Sequence, residues 1–104
     1  MSLPLQGEIW WAQAEDKRRP VLVVTRDRAI PVLTWILVAP VTRTVRHIPT
    51  EVPLGAAEGL SNDSAATLDN LQPIRRSFLA DRVGSLGPVG HHRLCEALKA
   101  LADC

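Results

Sequence analysis

Two runs leave this chain little freedom in how it can fold. Val21-Leu22-Val23-Val24-Thr25 and Thr34-Trp35-Ile36-Leu37-Val38-Ala39 are apolar on both alternating faces. β-Branched and aromatic residues pack well on a pleated surface, so both runs are expected as strands. Successive strand residues point to opposite faces, and a strand apolar throughout must be covered on both sides. In a chain of 104 residues such strands belong at the centre of a single domain spanning 1–104. A lone barrel has one interior. The outer face of one run is therefore expected to meet a second copy, as a homodimer anchored by Trp10 and Trp35, or to lie under a C-terminal helix.

The flanking segments fill in the rest. Gly7 to Gln13 reads as a first strand, with Ile9 and Trp11 on one face and Glu8 and Trp10 on the other. Ala14 to Arg19 is polar and turn-like, and Pro20 opens the next strand, where its missing N–H costs no ladder bond. Pro40 stops the second apolar strand, and Thr42 to His47 is a basic loop. Pro49 to Leu54 is a shorter, half-polar strand, Gly55 to Asp63 a loop, and Ser64 to Leu68 and Leu71 to Ile74 two short strands parted by Asp69-Asn70. Val83 to Leu86 reads as a last strand. From Pro88 the period becomes helical, with Leu94, Leu98 and Leu101 on one face and Cys95 and Ala102 beside them. About six strands and one terminal helix imply a mainly β fold, an SH3-like partly open barrel closed by an α-helix.

Composition narrows the partners. Twelve basic against 11 acidic residues leave a net charge of +1, so a polyanion has to be held by a local cluster. Cys95 and Cys104 form neither a C-x-x-C metal pair nor a disulfide framework, which points to reduced thiols. Met1 to Leu5 lacks a basic n-region, and nothing approaches the ~18 apolar residues of a membrane helix, so no membrane is expected and a cytoplasmic location is. His47, His91 and His92 show no metal-ligand spacing, and no Gly-rich phosphate loop follows a strand. Neither a metal nor another cofactor is expected.

Arg19 stands where a polar segment enters a buried strand, a position that fixes its backbone and frees its guanidinium. The planar fork can hold two phosphate oxygens at once. Thr42 follows the other buried strand, where a rigid hydroxyl can donate to the same phosphate. Such a pair suits cleavage of RNA by its own 2′-hydroxyl, which needs proton transfer and cationic donors but no metal and no protein nucleophile. Arginines and hydroxyls at strand ends also occur as ordinary solvated residues, and the residues alone leave both readings open.

The order of motifs resembles the MazF/PemK toxin family over almost the full chain. It comprises Gly7-Glu8-Ile9-Trp10, then Arg19-Pro20-Val21-Leu22-Val23-Val24, then Pro40-Val41-Thr42, and later Asp63-Ser64 through Leu68, Asn70, Leu71 and Gln72, with a helix after it. No single piece is specific; their order and spacing are. The resemblance implies that Arg19 and Thr42 are the catalytic pair. It also implies cleavage of single-stranded RNA at short sequences, 2′,3′-cyclic phosphate and 5′-hydroxyl products, a dimer, and inhibition by the extended C-terminal segment of an antitoxin lying in the RNA groove. Two departures stand out. Several relatives have a longer first loop with an acid before the arginine, whereas here the loop is short and offers Glu15 or Asp16. Where some relatives have Glu-Gln-x-Arg, this chain has Asp69-Asn70-Leu71-Gln72, so Asn70 and Gln72 are expected to face RNA but with a different cleavage sequence.

Other candidates divide between binding and mere solvation. Arg43 and Arg46 are read as phosphate contacts and His47 as a base contact, against a plain solvated loop. Lys17 and Arg18 carry the same two readings. Arg75-Arg76 either extends a positive groove or punctuates a turn, and His91 and His92 are read as structural or solvated. Two other function classes compete. A non-catalytic CcdB-like toxin poisoning a protein such as gyrase calls for a C-terminal aromatic anchor, and Leu101 to Cys104 has none. An SH3-like peptide-binding module calls for an exposed aromatic groove, for which Trp10 and Trp35 are the material.

Overall fold

Val21 to Val24 are buried without exception, and the strands around them are arranged to cover both their faces. The computed structural model describes residues 3–14 and 16–103. In these, β1 (Glu8–Ala14), β2 (Lys17–Val23), β3 (Trp35–Thr42), β4 (Glu51–Leu54), β5 (Ser64–Thr67), β6 (Gln72–Arg75) and β7 (Leu79–Ser85) precede one helix, α1 (Pro88–Leu101). The strands lie in the order β4-β5-β3-β2-β1-β7, with β6 also on β3, as a half-barrel with α1 packed on β4. β5 and β6 follow one edge of β3 in turn, Thr42 opposite Ala65 and Val38 opposite Gln72. A 3₁₀ turn, Leu68–Asn70, interrupts them and drops the fully buried Leu68 into the core.

Alternation on β1, β2 and β3 serves two cores. Ile9, Leu22, Val24 and Ala39 join Val52, Leu54, Ala66, Leu68, Leu94 and Ala97 beneath α1. Trp10, Ala12, Val21, Val23, Ile36 and Val38 join Ile30 and Leu79 on the opposite face. The second face of the apolar strands is thus largely covered within the chain, by the 3₁₀ turn Ile30–Val32 and the start of β7. Arg76 ties that turn down by donating to the carbonyls of Ile30 (2.5 Å) and Leu33 (3.2 Å), the structural alternative for this residue. Trp10 is buried, its indole N–H donating to Glu8 (3.0 Å), so it is no docking anchor. What stays open is the start of β3 and the segment before it, with Val32, Leu33, Trp35 and Leu37 exposed by 79%, 41%, 53% and 45%.

Boundaries differ from the sequence reading for physical reasons. The Ala14–Arg19 turn is much tighter, because Lys17, Arg18 and Arg19 already pair with β1 as solvent-exposed strand residues. Pro40 does not stop β3; the strand continues through it to Thr42. β7 starts at Leu79 rather than Val83 and pairs with β1 through irregularities. On α1 the buried residues are Leu94 and Ala97, and Leu101 is exposed.

Gly7 sets the entry to β1. Its φ of +87° is open to glycine, and a Cβ there would lie 2.6 Å from the His91 ring. Its N–H donates to Val23 (2.9 Å) and its carbonyl accepts from Leu86 (2.8 Å), so this residue joins β2, β1 and the approach to α1. Gly7→Ala is expected to cost about 1–3 kcal/mol in denaturant unfolding. An unchanged midpoint would show that the position is not strained.

Candidate functional site

The ladder between β2 and β3 is short. Val23 faces Val38, Leu22 faces Ala39 and Val21 faces Pro40, and there it ends. β2 continues outward against β1, with Arg19 opposite Ala12, while β3 runs on to Thr42 against β5. Continuing the β2–β3 register would set Arg19 against Thr42, so these residues flank the mouth where the strands part. Pro20 sits in this mouth, where its missing N–H leaves no ladder bond unmade.

Both side chains are placed to meet a ligand. Arg19 is exposed, and among the described residues its guanidinium has no hydrogen-bond or ion-pair partner. Thr42 is half-buried, and its Oγ1 accepts the Thr44 N–H at 3.1 Å. One lone pair is thus held by the backbone, and the hydroxyl proton is free to be donated outward. A pocket of about 420 Å³ opens beside Thr42, walled by Trp11, Pro20, Arg43, Asn62 and Ser64 among others.

The basic loop after Thr42 is held by a residue that sequence reasoning missed. Glu51, at the start of β4, is 92% buried, and its Oε1 accepts the backbone N–H groups of Arg46 (2.9 Å) and His47 (3.2 Å). His47 adopts φ +56°, uncommon without such over-determination. Among the described residues no Lys or Arg pairs with Glu51, so two oriented amides are what the buried carboxylate has in place of water. The only sequence signal is an acid directly before the apolar Val52.

The remaining candidates separate. Arg43 and Arg46 are exposed, with side chains not engaged inside the described chain. Lys17 is exposed on β2, and Asp16 lies in the turn before it. Glu15 and Cys104 lie outside the described residues. Arg18 is engaged: it pairs with Asp81 at 2.7 Å and stacks over Trp11 at 5.0 Å. Asn70 and Gln72 are exposed where the edge of β3 passes from β5 to β6, Gln72 opposite Val38. At ~3.3 Å per residue that position is roughly 13 Å along the strand from Thr42, within one RNA footprint but outside the first pocket. His91 contacts Gln6 at 3.4 Å, His92 lies near Glu96, and Arg75 covers Trp35 at 5.7 Å. A larger cleft of about 730 Å³ between the basic loop and α1 includes His47 in its lining but neither Arg19 nor Thr42. Among the described residues no three His, Cys, Asp or Glu side chains are grouped to hold a metal, and no helix is long and apolar enough to cross a membrane.

A half-barrel sheet with one C-terminal helix is the fold of a small toxin family. Residues 5–102 match the model of the PemK-like, MazF-like toxins of type II toxin–antitoxin systems, and the chain belongs to that family. It is 40% identical to "Probable endoribonuclease MazF5" of Mycobacterium tuberculosis, over 99% of this chain and 96% of that one. Its fold superposes on the Mycobacterium tuberculosis toxin MazF-mt6 with a TM-score of 0.84, at 42% identity over 92% and 96% of the two chains. It also resembles MazF from the MazE–MazF structure of Deinococcus radiodurans, with a TM-score of 0.75 and 25% identity over 96% of each chain.

The Glu51 contacts yield a measurable expectation. In Glu51→Ala the Arg46 and His47 amides are expected to lose about 10- to 100-fold of their hydrogen-exchange protection, with stability falling by about 1–3 kcal/mol. Glu51→Gln, which keeps an acceptor, should retain most of both. Equal exchange at these amides in wild type and Glu51→Ala would mean that the carboxylate does not hold the loop.

Proposed function

We propose that this chain is the toxin of a toxin–antitoxin module and acts as a sequence-specific, metal-independent endoribonuclease on single-stranded RNA. The observation carrying this reading is that the β2–β3 register ends at Val21 opposite Pro40 and, continued, would set Arg19 against Thr42. The relatives named as endoribonucleases support the reaction class. The RNA 2′-oxygen attacks the neighbouring phosphorus, its proton leaves, the P–O5′ bond breaks, and the 5′-oxygen takes up a proton. The products are a 2′,3′-cyclic phosphate and a 5′-hydroxyl.

Each residue has a part in this scheme. The Arg19 guanidinium neutralises the oxygens of the pentacoordinate phosphorus and takes part in proton transfer. The hydroxyl of Thr42, its orientation set by the Thr44 amide, donates to a phosphate oxygen and positions the scissile group. Asp16 and Glu15 are the acids available as proton partners. Arg43, Arg46 and His47 carry the strand onward, Asn70 and Gln72 contact it further along β3, and Lys17 adds charge. Arg18 supports Trp11 in place of gripping a phosphate.

Partners follow from the family and the surface. An antitoxin C-terminal segment occupies the RNA groove, consistent with membership of type II toxin–antitoxin toxins. The exposed Leu33, Trp35 and Leu37 form an apolar surface suited to a second copy, so the working form is a homodimer in the cytoplasm.

Incubation with mixed-sequence single-stranded RNA in EDTA tests the reaction. Wild type is expected to cut, Arg19→Ala to lose at least about 100-fold in rate, and Thr42→Ser to keep more activity than Thr42→Ala. Intact RNA with wild type, or equal cutting by Arg19→Ala, would falsify the assignment. Trp35→Asp is expected to convert a dimer to a monomer by light scattering; a wild-type monomer at micromolar concentration would remove the dimer from this scheme. Arg43→Ala should flatten the salt dependence of RNA affinity by about 0.7 in log–log slope, and an unchanged slope would mean that it touches no phosphate.

A further inference from the structure

The pocket beside Thr42 has more structure than phosphate binding requires. Its volume of about 420 Å³ can take one nucleobase, and its walls are of two kinds. Trp11, Pro20, Val41, Leu60 and Val83 are apolar and, apart from Leu60, set on strands. Ser61 and Asn62 form a polar rim, contributed by the loop between β4 and β5.

Both kinds of wall are fixed before any ligand arrives. The Trp11 ring is held by the Arg18 guanidinium at 5.0 Å, itself anchored on Asp81 at 2.7 Å. The rim loop turns at Gly59, with φ +91° and room for a Cβ only 2.6 Å from the Val83 carbonyl oxygen. Ser64 Oγ then donates to the Asn62 carbonyl at 3.0 Å and fixes the backbone of that residue. The Asn62 side chain gives one N–H to Ser61 Oγ at 3.2 Å. Among the described residues Oδ1 makes no hydrogen bond, so an acceptor and the second amide N–H remain available at an exposed rim. An unstacked RNA base is read on its Watson–Crick edge while it rests against an aromatic or other flat surface, and this pocket supplies both kinds of contact.

We propose that this pocket binds the base adjoining the scissile phosphate, and that Asn62 reads its Watson–Crick edge as a specificity-determining residue. The inference rests on the endoribonuclease reading, in which Thr42 holds the scissile phosphate: Thr42 and Arg43 line this pocket, while Arg19 stands outside its lining. An amide offers a donor beside an acceptor and pairs with a base edge that does the same. Asn62→Asp replaces the donor with a second acceptor, whose complement is the pair of N–H donors on guanine.

The test maps cut ends by sequencing after limited digestion of one mixed-sequence RNA pool. Wild type, Asn62→Ala, Asn62→Asp and Arg19→Ala are compared, with unfolding midpoints measured for all. Asn62 is exposed, so its variants are expected to melt as wild type does. Asn62→Ala should lose about tenfold or more of the base preference at one position flanking the cut and leave the other positions as they were. Asn62→Asp should shift that position toward guanine. Wild-type cleavage with an unaltered preference in both Asn62 variants overturns the inference and leaves the nuclease reading standing. A uniform fall in rate on all sequences also overturns it, since the residue would then act without reading a base. RNA left intact by wild type removes the endoribonuclease reading and this inference with it.

Discussion

The functional geometry depends on where two strands stop pairing. β2 and β3 are joined by three register pairs and then diverge, β2 remaining on β1 and β3 on β5. A continuous ladder would fill the space between Arg19 and Thr42 with hydrogen-bonded backbone. By ending at Val21 and Pro40 it leaves an exposed Arg19 and a half-buried Thr42 on rigid strands at the point where these diverge. Rigidity comes from the residues just inside, since Val21, Leu22 and Val23 are essentially fully buried. Side chains on such ends start from fixed backbone positions and pay little ordering entropy on meeting a ligand.

Using both faces of the central strands explains how so short a chain can hold that rigidity. One core lies beneath α1 and the other beneath the Ile30–Val32 turn and Leu79. Each is small, but β1, β2 and β3 belong to both, so loosening either face loosens the strands that bear Arg19 and Thr42. The coverage stops short of Trp35 and Leu37, because α1 packs on β4 at the other side of the sheet. The exposed apolar surface at Trp35 and Leu37 is thus the remainder of a face already covered from within.

Much of this was legible in the chain, and the misreadings have physical causes. Val21–Val24 and Ile36–Ala39 announce buried strands because burial selects their side chains. Lys17–Arg19 reads as a turn because a strand segment exposed to water is under no such selection. Pro40 reads as a stop because proline cannot donate, yet at the end of a ladder no donor is needed. Arg19 and Thr42 are read from the order of motifs, and the β2–β3 register sets them opposite each other only when continued past its last pair. Glu51 was invisible because its partners are backbone amides, which any sequence supplies and only a fold can aim. Ser61 and Asn62 read as plain loop, since the pocket they rim exists only once Trp11 and Pro20 face them.

The distribution of charge carries the same logic further. With a net charge of +1, the protein offers RNA no long-range field, and its arginines divide by what they touch. Arg18 is held by Asp81, Arg82 by Glu8 at 2.8 Å, and Arg76 by two carbonyls. These three fix walls and turns. Arg19, Arg43 and Arg46 are exposed around the open end of β3, with no partner among the described residues. Cations already satisfied inside the fold gain little from a phosphate, whereas those three exchange only water for it. Arg26, Arg28 and Arg93 are exposed as well, so what sets Arg19, Arg43 and Arg46 apart is their position around the open end of β3.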